Sequence, residues 1–255
     1  MVVLAARREQ EISALAAGIE RLGNHALAVP TDVSNCANIY RLVERTVEAY
    51  GRVDVLVNNA GVGGGGSIRD SDEQMRQVLA VNLLAPARLV QAVLPHMRWQ
   101  GGGLIVNIGS VAGEVGVSGM YSGSKFGLRG LGDALRHQLR GDNIGVVLIE
   151  PGFIRTGMTE GLRLPIPGPA VVARAIAGAI ERPRRRIVVP WYYTPLMLVA
   201  KLFPGLAGRI IGSRRSGAIE NVEPGAAIVD NGSGRGEIRM RGRAHDRLHR
   251  RRRWH

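Results

Sequence analysis

The chain contains a single cysteine, Cys36, in 255 residues. That excludes an intramolecular disulfide framework and any cysteine-rich zinc site, and it suits a reducing compartment. Long apolar runs are scarce as well. The opening stretch, Val2 to Ala6, gives way to charge too soon for a secretory signal. Ile187–Ala200 runs fourteen residues without charge, short of the about 20 that a membrane-spanning helix requires. Acidic residues are outnumbered, 21 against 34 lysines and arginines, for a net charge of +13. Much of that excess is local: nine arginines between positions 235 and 255 face only Glu237 and Asp246. With 45% apolar and 22% charged residues, the composition is that of an ordinary globular protein, which rules out collagen, coiled coil and full disorder.

Short β-branched runs alternate with helix-like stretches, the signature of βαβ units in a doubly wound parallel α/β sheet of Rossmann-like type. Strands read at Val2–Ala5, His25–Val29, Val53–Val57, Leu104–Ile108, Gly145–Ile149 and Arg186–Val189. The runs VDVLV and LIVNI are near-continuous apolar segments, as strands covered on both faces should be. Helices read at Gln10–Leu22, Asn38–Tyr50, Gly119–Arg140 and Pro169–Ile180. A long one opens at Asp70 or Ser71 and runs to about Met97, with Pro86 inside it as a kink or interruption. Residues 1–190 thus read as one Rossmann-like domain. Residues 191–212 form an apolar segment that covers substrate or lies at an interface, and 213–255 have the glycine- and arginine-rich composition of a disordered tail.

Ligands of such sheets bind outside the carboxyl ends of the strands. There the sequence gathers Asp32-Val33, Asn58-Asn59-Ala60-Gly61, Gly109-Ser110 and Glu150-Pro151-Gly152 with Thr156 beyond. Tyr121 and Lys125, four apart on a helix, share one face. A free tyrosine ionises at about pH 10, and a lysine cation close by favours the phenolate. Tyr121 then becomes useful for proton transfer, with Ser110 able to hydrogen-bond a substrate oxygen. Alone, a Tyr-x-x-x-Lys pair arises readily by chance. Read singly, Asn82 is also a surface helix residue, Thr156 a helix cap and Asp32 a turn residue.

Together, Asn58-Asn59-Ala60-Gly61, Asn82, Ser110, Tyr121-x-x-x-Lys125 and Pro151-Gly152-x-Ile154-x-Thr156 resemble, in order and spacing, the motifs of the short-chain dehydrogenase/reductase family over about residues 1–190. The resemblance implies an oxidoreductase that moves a hydride between a nicotinamide cofactor and a carbonyl or secondary alcohol. Tyr121 would be the general acid/base. Lys125 would lower its pKa and hold the nicotinamide ribose, Ser110 would orient the carbonyl, and Asn82 would anchor a relay water. Asn59, Ala60 and Gly61 would lie beside the adenosine half, Asp32 and Val33 would touch adenine, and Ile154 and Thr156 would bind the carboxamide. Arg7 and Arg8, with no acid before Glu9, point to NADP(H) rather than NAD, because arginine binds a 2′-phosphate that an acid would repel. No metal is implied. A homodimer or homotetramer through the two long helices, a cytoplasmic location and a small carbonyl or alcohol substrate follow from the same resemblance.

Two departures qualify that expectation. The family's first strand, its glycine-rich turn and first helix have no counterpart before Val2, so a central strand is lacking and two interior sheet edges should be left unpaired. Gly61-Val-Gly63-Gly64-Gly65-Gly66 matches a glycine-turn pattern but no helix opens until about Ser71, so it reads as a loop near the site. Ala226–Gly236, a short strand-like run with a glycine turn, is the other stretch of that kind. The Ser110–Tyr121 spacing of eleven is also tighter than the family's usual one. The alternative is therefore a catalytically silent fragment or binding protein on the same fold. The apolar 191–211 stretch suggests a lipophilic substrate or a membrane-surface location. The arginine tail allows contact with an anionic membrane, and its lack of an aromatic platform or recognition fold argues against nucleic acid.

Overall fold

The computed structural model describes residues 1–63, 70–116, 118–159 and 165–203. The glycines at 64–66, the segment 204–212, the tail 213–255 and the Ala226–Gly236 run lie outside the described residues. In chain order the elements are β1 (Val2–Ala6), α1 (Glu9–Arg21), β2 (Ala26–Pro30), α2 (Cys36–Tyr50), β3 (Val55–Asn58), α3 (Asp72–Leu79), α4 (Ala85–Trp99), β4 (Gly103–Ile108), α5 (Gly119–Gln138), β5 (Ile144–Pro151), α6 (Ala170–Glu181), β6 (Arg186–Val189) and α7 (Tyr193–Leu202).

All strand pairs are parallel, and they form two sheets. One is β1–β2 and the other has the order β3–β4–β5–β6. Among the described residues no strand pairs β1 to β3, so each presents an open parallel edge. This is the Rossmann-like α/β fold, its described strands falling into two parallel sheets. Strand β4 shows why it sits centrally. Its Leu104, Val106 and Ile108 join the cluster with Val147, Ile149, Val189 and Ala179 of α6. The intervening Ile105 packs on the other face with Val90, Val93 and Met97 of α4 and Leu135 of α5. Alternate side chains of one strand therefore feed two cores, and each fully buried aliphatic contributes about 1.5–3 kcal/mol. A third cluster ties the two sheets through helices: Val29, Ile39 and Leu42 pack against Ala85 and Leu89, with Val3, Val33 and Leu56 at its margin.

Several boundaries move from the sequence reading. Strand β3 begins at Val55 rather than Val53. The Val53 backbone is instead clamped by Gln100, whose Oε1 accepts from its N–H at 3.1 Å and whose Nε2 donates to its carbonyl at 2.8 Å. Nor is β3 covered on both faces; Val57 is 37% exposed, as an edge strand beside an open position would be. Helix α2 starts at Cys36 because Asn35 caps it, its side chain accepting from Ala37 and Asn38. Helix α5 ends at Gln138 rather than Arg140, which opens a separate short 3₁₀ turn. The long helix splits as α3, a π-helical turn over Ala80–Leu84, and α4 with Pro86 in its first turn. Ser71 provides the capping box with Gln74 that opens α3. Pro86 has no N–H to give, and the widened turn before it takes up that loss.

Candidate functional site

Strand β4 delivers Gly109 and Ser110 to the carboxyl edge of the sheet. Ser110 caps a 3₁₀ turn, Val111–Gly113, its Oγ accepting from the Ala112 N–H at 3.1 Å. That turn lies directly on α5. A Cβ on Gly113 would fall 2.8 Å from the Lys125 backbone, so only glycine permits the approach. Helix α5 then presents Tyr121 close enough to Ser110 for the serine to favour its phenolate, with Lys125 one turn deeper. The buried Lys125 amine donates to the Ile108 carbonyl at 2.9 Å and sits 5.9 Å from the centre of the Tyr121 ring.

The charge state differs from the sequence expectation. Burial pushes the Tyr121 phenol above its ordinary 10.0, and the hydrogen bond with Ser110 only partly counters this. The Lys125 amine is turned to the Ile108 carbonyl and is not among the causes acting on the phenol in this structure. Burial also pulls the Lys125 amine down to about 8, so its charge is itself easily lost.

Asn82 lies in the π-helical turn, 1% exposed. Its Oδ1 accepts from the Val62 N–H at 2.9 Å, and its Nδ2 donates to the Val62 carbonyl at 3.0 Å and to Ser124 Oγ at 3.2 Å. It thus pins the loop after β3 to α5. A Cβ on Gly61 would stand 3.5 Å from Asn82 Oδ1 and 3.8 Å from Lys125 Nζ. The structure therefore brings Ser110, Tyr121, Lys125, Asn82 and Gly61 together, with Asn59 and Ala60 exposed in the same loop.

The other candidate residues lie farther along the sheet edge. Arg7 and Arg8 follow β1 and are exposed. Arg8 pairs with Glu11 at 2.9 Å, and Arg7 lies close enough to help hold the Asp32 carboxyl below its usual value. The main cause of that lowering is Ser34, whose hydroxyl and N–H donate to Asp32 at 2.7 and 2.9 Å. Val33 leans on the third core cluster. Ile154 is buried and Thr156 exposed. The Thr156 N–H donates to Thr159 Oγ1 at 2.9 Å.

Four positions escaped the sequence reading. Asn107 pairs with Asn58 across β3–β4 at 2.8 Å, and a polar residue inside LIVNI was the available signal. Ser124 receives Asn82. Gly113 permits the loop contact described above. Tyr193 fills the space over Gly152, where a Cβ would lie 2.2 Å from its ring, and its Oη accepts from the Phe153 N–H at 3.2 Å.

These residues fit one end of a nicotinamide dinucleotide. Lys125 spends one of its three donors on protein and stands beside Gly61, where no Cβ fills the space. The buried Asn58 Oδ1 has no hydrogen-bond partner among the described residues. The pyrophosphate end is different. The N-terminus of α1, which follows β1, carries Glu9 and Glu11 in its first turn and is a poor seat for an anion.

The family model for short chain dehydrogenase matches residues 1–166. The chain is 34% identical over 198 residues to the ketoacyl reductase HetN of a Nostoc species, covering 74% of this chain and 69% of that one. Two further curated relatives, a 3-ketodihydrosphingosine reductase of Bacteroides thetaiotaomicron and a 3-oxoacyl-[acyl-carrier-protein] reductase of Thermotoga maritima, are matched at 36% and 41% identity over 55% and 51% of this chain and 53% and 54% of their own length. A short-chain dehydrogenase/reductase from Burkholderia phymatum, solved with NAD, superposes with a TM-score of 0.73 at 27% identity, covering 80% of this chain and 85% of that one. A metagenomic short-chain oxidoreductase solved with NADP gives 0.64 at 32% identity, over 73% and 84%. Motif order, parallel topology and these likenesses agree: the chain belongs to the short-chain dehydrogenase/reductase family of oxidoreductases.

Proposed function

We propose that the protein reduces a ketone, or oxidises the corresponding secondary alcohol, with NADP(H), Tyr121 being the proton donor and acceptor. The observation that carries this is the placement of Tyr121 by Ser110 at the end of β4, with the buried Lys125 amine one helical turn behind it and 5.9 Å from the Tyr121 ring centre. The cofactor supplies the hydride. Ser110 donates to the substrate oxygen and fixes its distance from Tyr121. Tyr121, held protonated by burial, gives its proton to that oxygen as charge develops there. Lys125 holds the ribose and, while charged, stabilises the phenolate left behind. Asn82 keeps the loop of Asn59, Ala60 and Gly61 against the site and anchors a relay water. Ile154 and Thr156 bind the carboxamide, and Asp32 and Val33 flank adenine. A lipophilic ketone is favoured by the exposed Trp191, Leu196, Leu198 and Leu202 beside the site and by the ketoacyl relative. A cytoplasmic location with peripheral membrane contact, and a homodimer or homotetramer through α4 and α5, belong to the same proposal. Leu84, just before α4, and Phe126 on α5 are exposed apolar side chains that would serve the oligomer.

Tyr121→Phe is expected to lower the rate of substrate-dependent NADPH oxidation about 10²–10⁴-fold, the usual scale for a positioned acid, while leaving NADPH fluorescence binding intact. An unchanged rate refutes the mechanism. Exchanging Arg7 and Arg8 for aspartate should cost NADPH roughly tenfold to a hundredfold in affinity relative to NADH, one or two charge-assisted contacts being lost. Equal loss for both nucleotides would remove the case for NADP(H). A second reading, a silent binding protein, is favoured by the open β1 and β3 edges and the acidic first turn of α1. NADPH binding tighter than about 100 μM, some 5 kcal/mol, argues against it.

A further inference from the structure

Glu114 closes the loop that begins at Ser110, and its side chain is wholly buried. A buried carboxylate survives only if its charge is met. Three cations from three elements meet it: Arg129 of α5, Arg186 of β6 at 3.1 Å, and Lys201 of α7. Arg186 is shared with the equally buried Glu150 of β5. The two oxygens of Glu114 are not equivalent. Oε1 takes both arginines. Oε2 is fully enclosed, accepts no geometrically sound hydrogen bond, and has Lys201 as its ion partner among the described residues.

Lys201 lies near the end of α7 opposite Tyr193. The Tyr193 ring fills the space over Gly152, and its hydroxyl holds the Phe153 N–H. Eight residues of helix separate Tyr193 from Lys201, about 12 Å at 1.5 Å per residue. Helix α7 is therefore fastened at one end to the Gly152 loop and at the other to the Ser110 loop. Little else holds it: only Met197 is buried, while Leu196, Leu198, Val199 and Leu202 are exposed.

We propose that the Lys201–Glu114 ion pair is a latch that positions the Ser110 loop and α7 as one unit, making Lys201 a positioning residue for the substrate side of the site. It rests on the ketone-reductase reading for its consequence, though not for its existence. Releasing Lys201 leaves the enclosed Oε2 without its ion partner and the carboxylate held by the arginines at Oε1 alone, so Glu114 shifts toward them. Gly113 touches the Lys125 backbone next door, and the shift is passed to Ser110.

The test uses the full chain. In Lys201→Met, hydrogen–deuterium exchange should rise about tenfold or more in both 193–203 and 110–116, since losing the partner of a buried charge is expensive. Lys201→Arg should restore protection in both. For an active enzyme, the KM for a medium-chain ketone rises in Lys201→Met while the KM for NADPH stays within about twofold, because the latch touches substrate geometry alone. Looser α7 with an unchanged 110–116 segment overturns the latch, as does no change in either. Should Lys201→Met fail to fold, the pair Glu114→Gln and Glu114→Gln/Lys201→Met decides. Losing Lys201 then leaves no orphaned ion and adds nothing to exchange at 110–116, whereas additive effects overturn the proposal. An inactive protein with coupled exchange refutes the reductase reading and leaves the latch standing.

Discussion

At the end of β4, the amine of Lys125 has exchanged water for one backbone carbonyl and the neighbourhood of an aromatic ring. Burial brings its pKa to about 8, and the sign of the consequence is definite. Below about 8 the folded protein carries an ammonium there; above it the amine is neutral and has lost its hold on a developing phenolate. Tyr121 moves the other way and stays protonated through the same range, because burial raises its pKa. For ketone reduction, kcat/KM should therefore fall as pH rises through about 8, since that ratio reports the free enzyme. The inflection should be lost in Lys125→Arg, whose guanidinium does not titrate there. A flat wild-type profile from pH 7 to 9.5 would show that the amine's charge is not used. The Tyr121–Lys125 pairing was legible from spacing alone, but the direction in which the phenol shifts was not. A four-residue interval shows that two side chains share a face, not how deep that face lies.

Among the elements, the π-helical turn at Ala80–Leu84 does most to join separate pieces of sequence. Widening one turn rotates Asn82 inward, where it binds both backbone groups of Val62 and the hydroxyl of Ser124. Such turns recur at functional sites because they aim a side chain that a regular helix would place elsewhere. Asn82→Ala leaves the buried Ser124 hydroxyl and the Val62 backbone groups without that partner. It should lower stability by about 1–3 kcal/mol, read as a shifted denaturant midpoint. The loss of NADPH affinity should exceed what the stability change explains, since Asn82 pins the loop of Gly61, where even an added Cβ would stand only 3.5 Å from its Oδ1. Stability loss with unaltered binding would make Asn82 structural only. The sequence marked this helix, its Ser71 cap and the disturbance at Pro86. It could not mark Glu114, because a lone carboxylate in a glycine-containing loop reads as solvated until Arg129, Arg186 and Lys201 arrive from distant elements. Val53 was lost for a similar reason: its apolar run looks like strand, yet a side chain 47 positions away claims its backbone.

Across the described residues the parallel strands fall into two sheets, β1–β2 and β3–β4–β5–β6. Among the described residues β1 pairs with β2 alone and β3 with β4 alone, so each presents one parallel edge that no described strand pairs. Val2 at 43% and Val57 at 37% exposure would be interior residues in an undivided sheet. The helices supply the link that the ladder does not, through Ile39, Leu42, Ala85 and Leu89. A single strand between β1 and β3 would complete both ladders. A glycine turn and helix following it would bring a positive helix end to the carboxyl edge, where α1 offers Glu9 and Glu11 instead. Fusing a strand–glycine turn–helix unit ahead of Met1 gives that strand the right-handed crossover into β1 that parallel sheets require. Four or five new backbone hydrogen bonds at about 0.5–1.5 kcal/mol each should add some 3 kcal/mol or more, visible as a higher melting temperature and slower amide exchange in both β1 and β3. NADPH affinity should tighten at the same time, since pyrophosphate gains N–H donors that the described residues do not present. If β1 and β3 remain unprotected in the fusion, the two sheets are not halves of one, and the cofactor must be held in some other way.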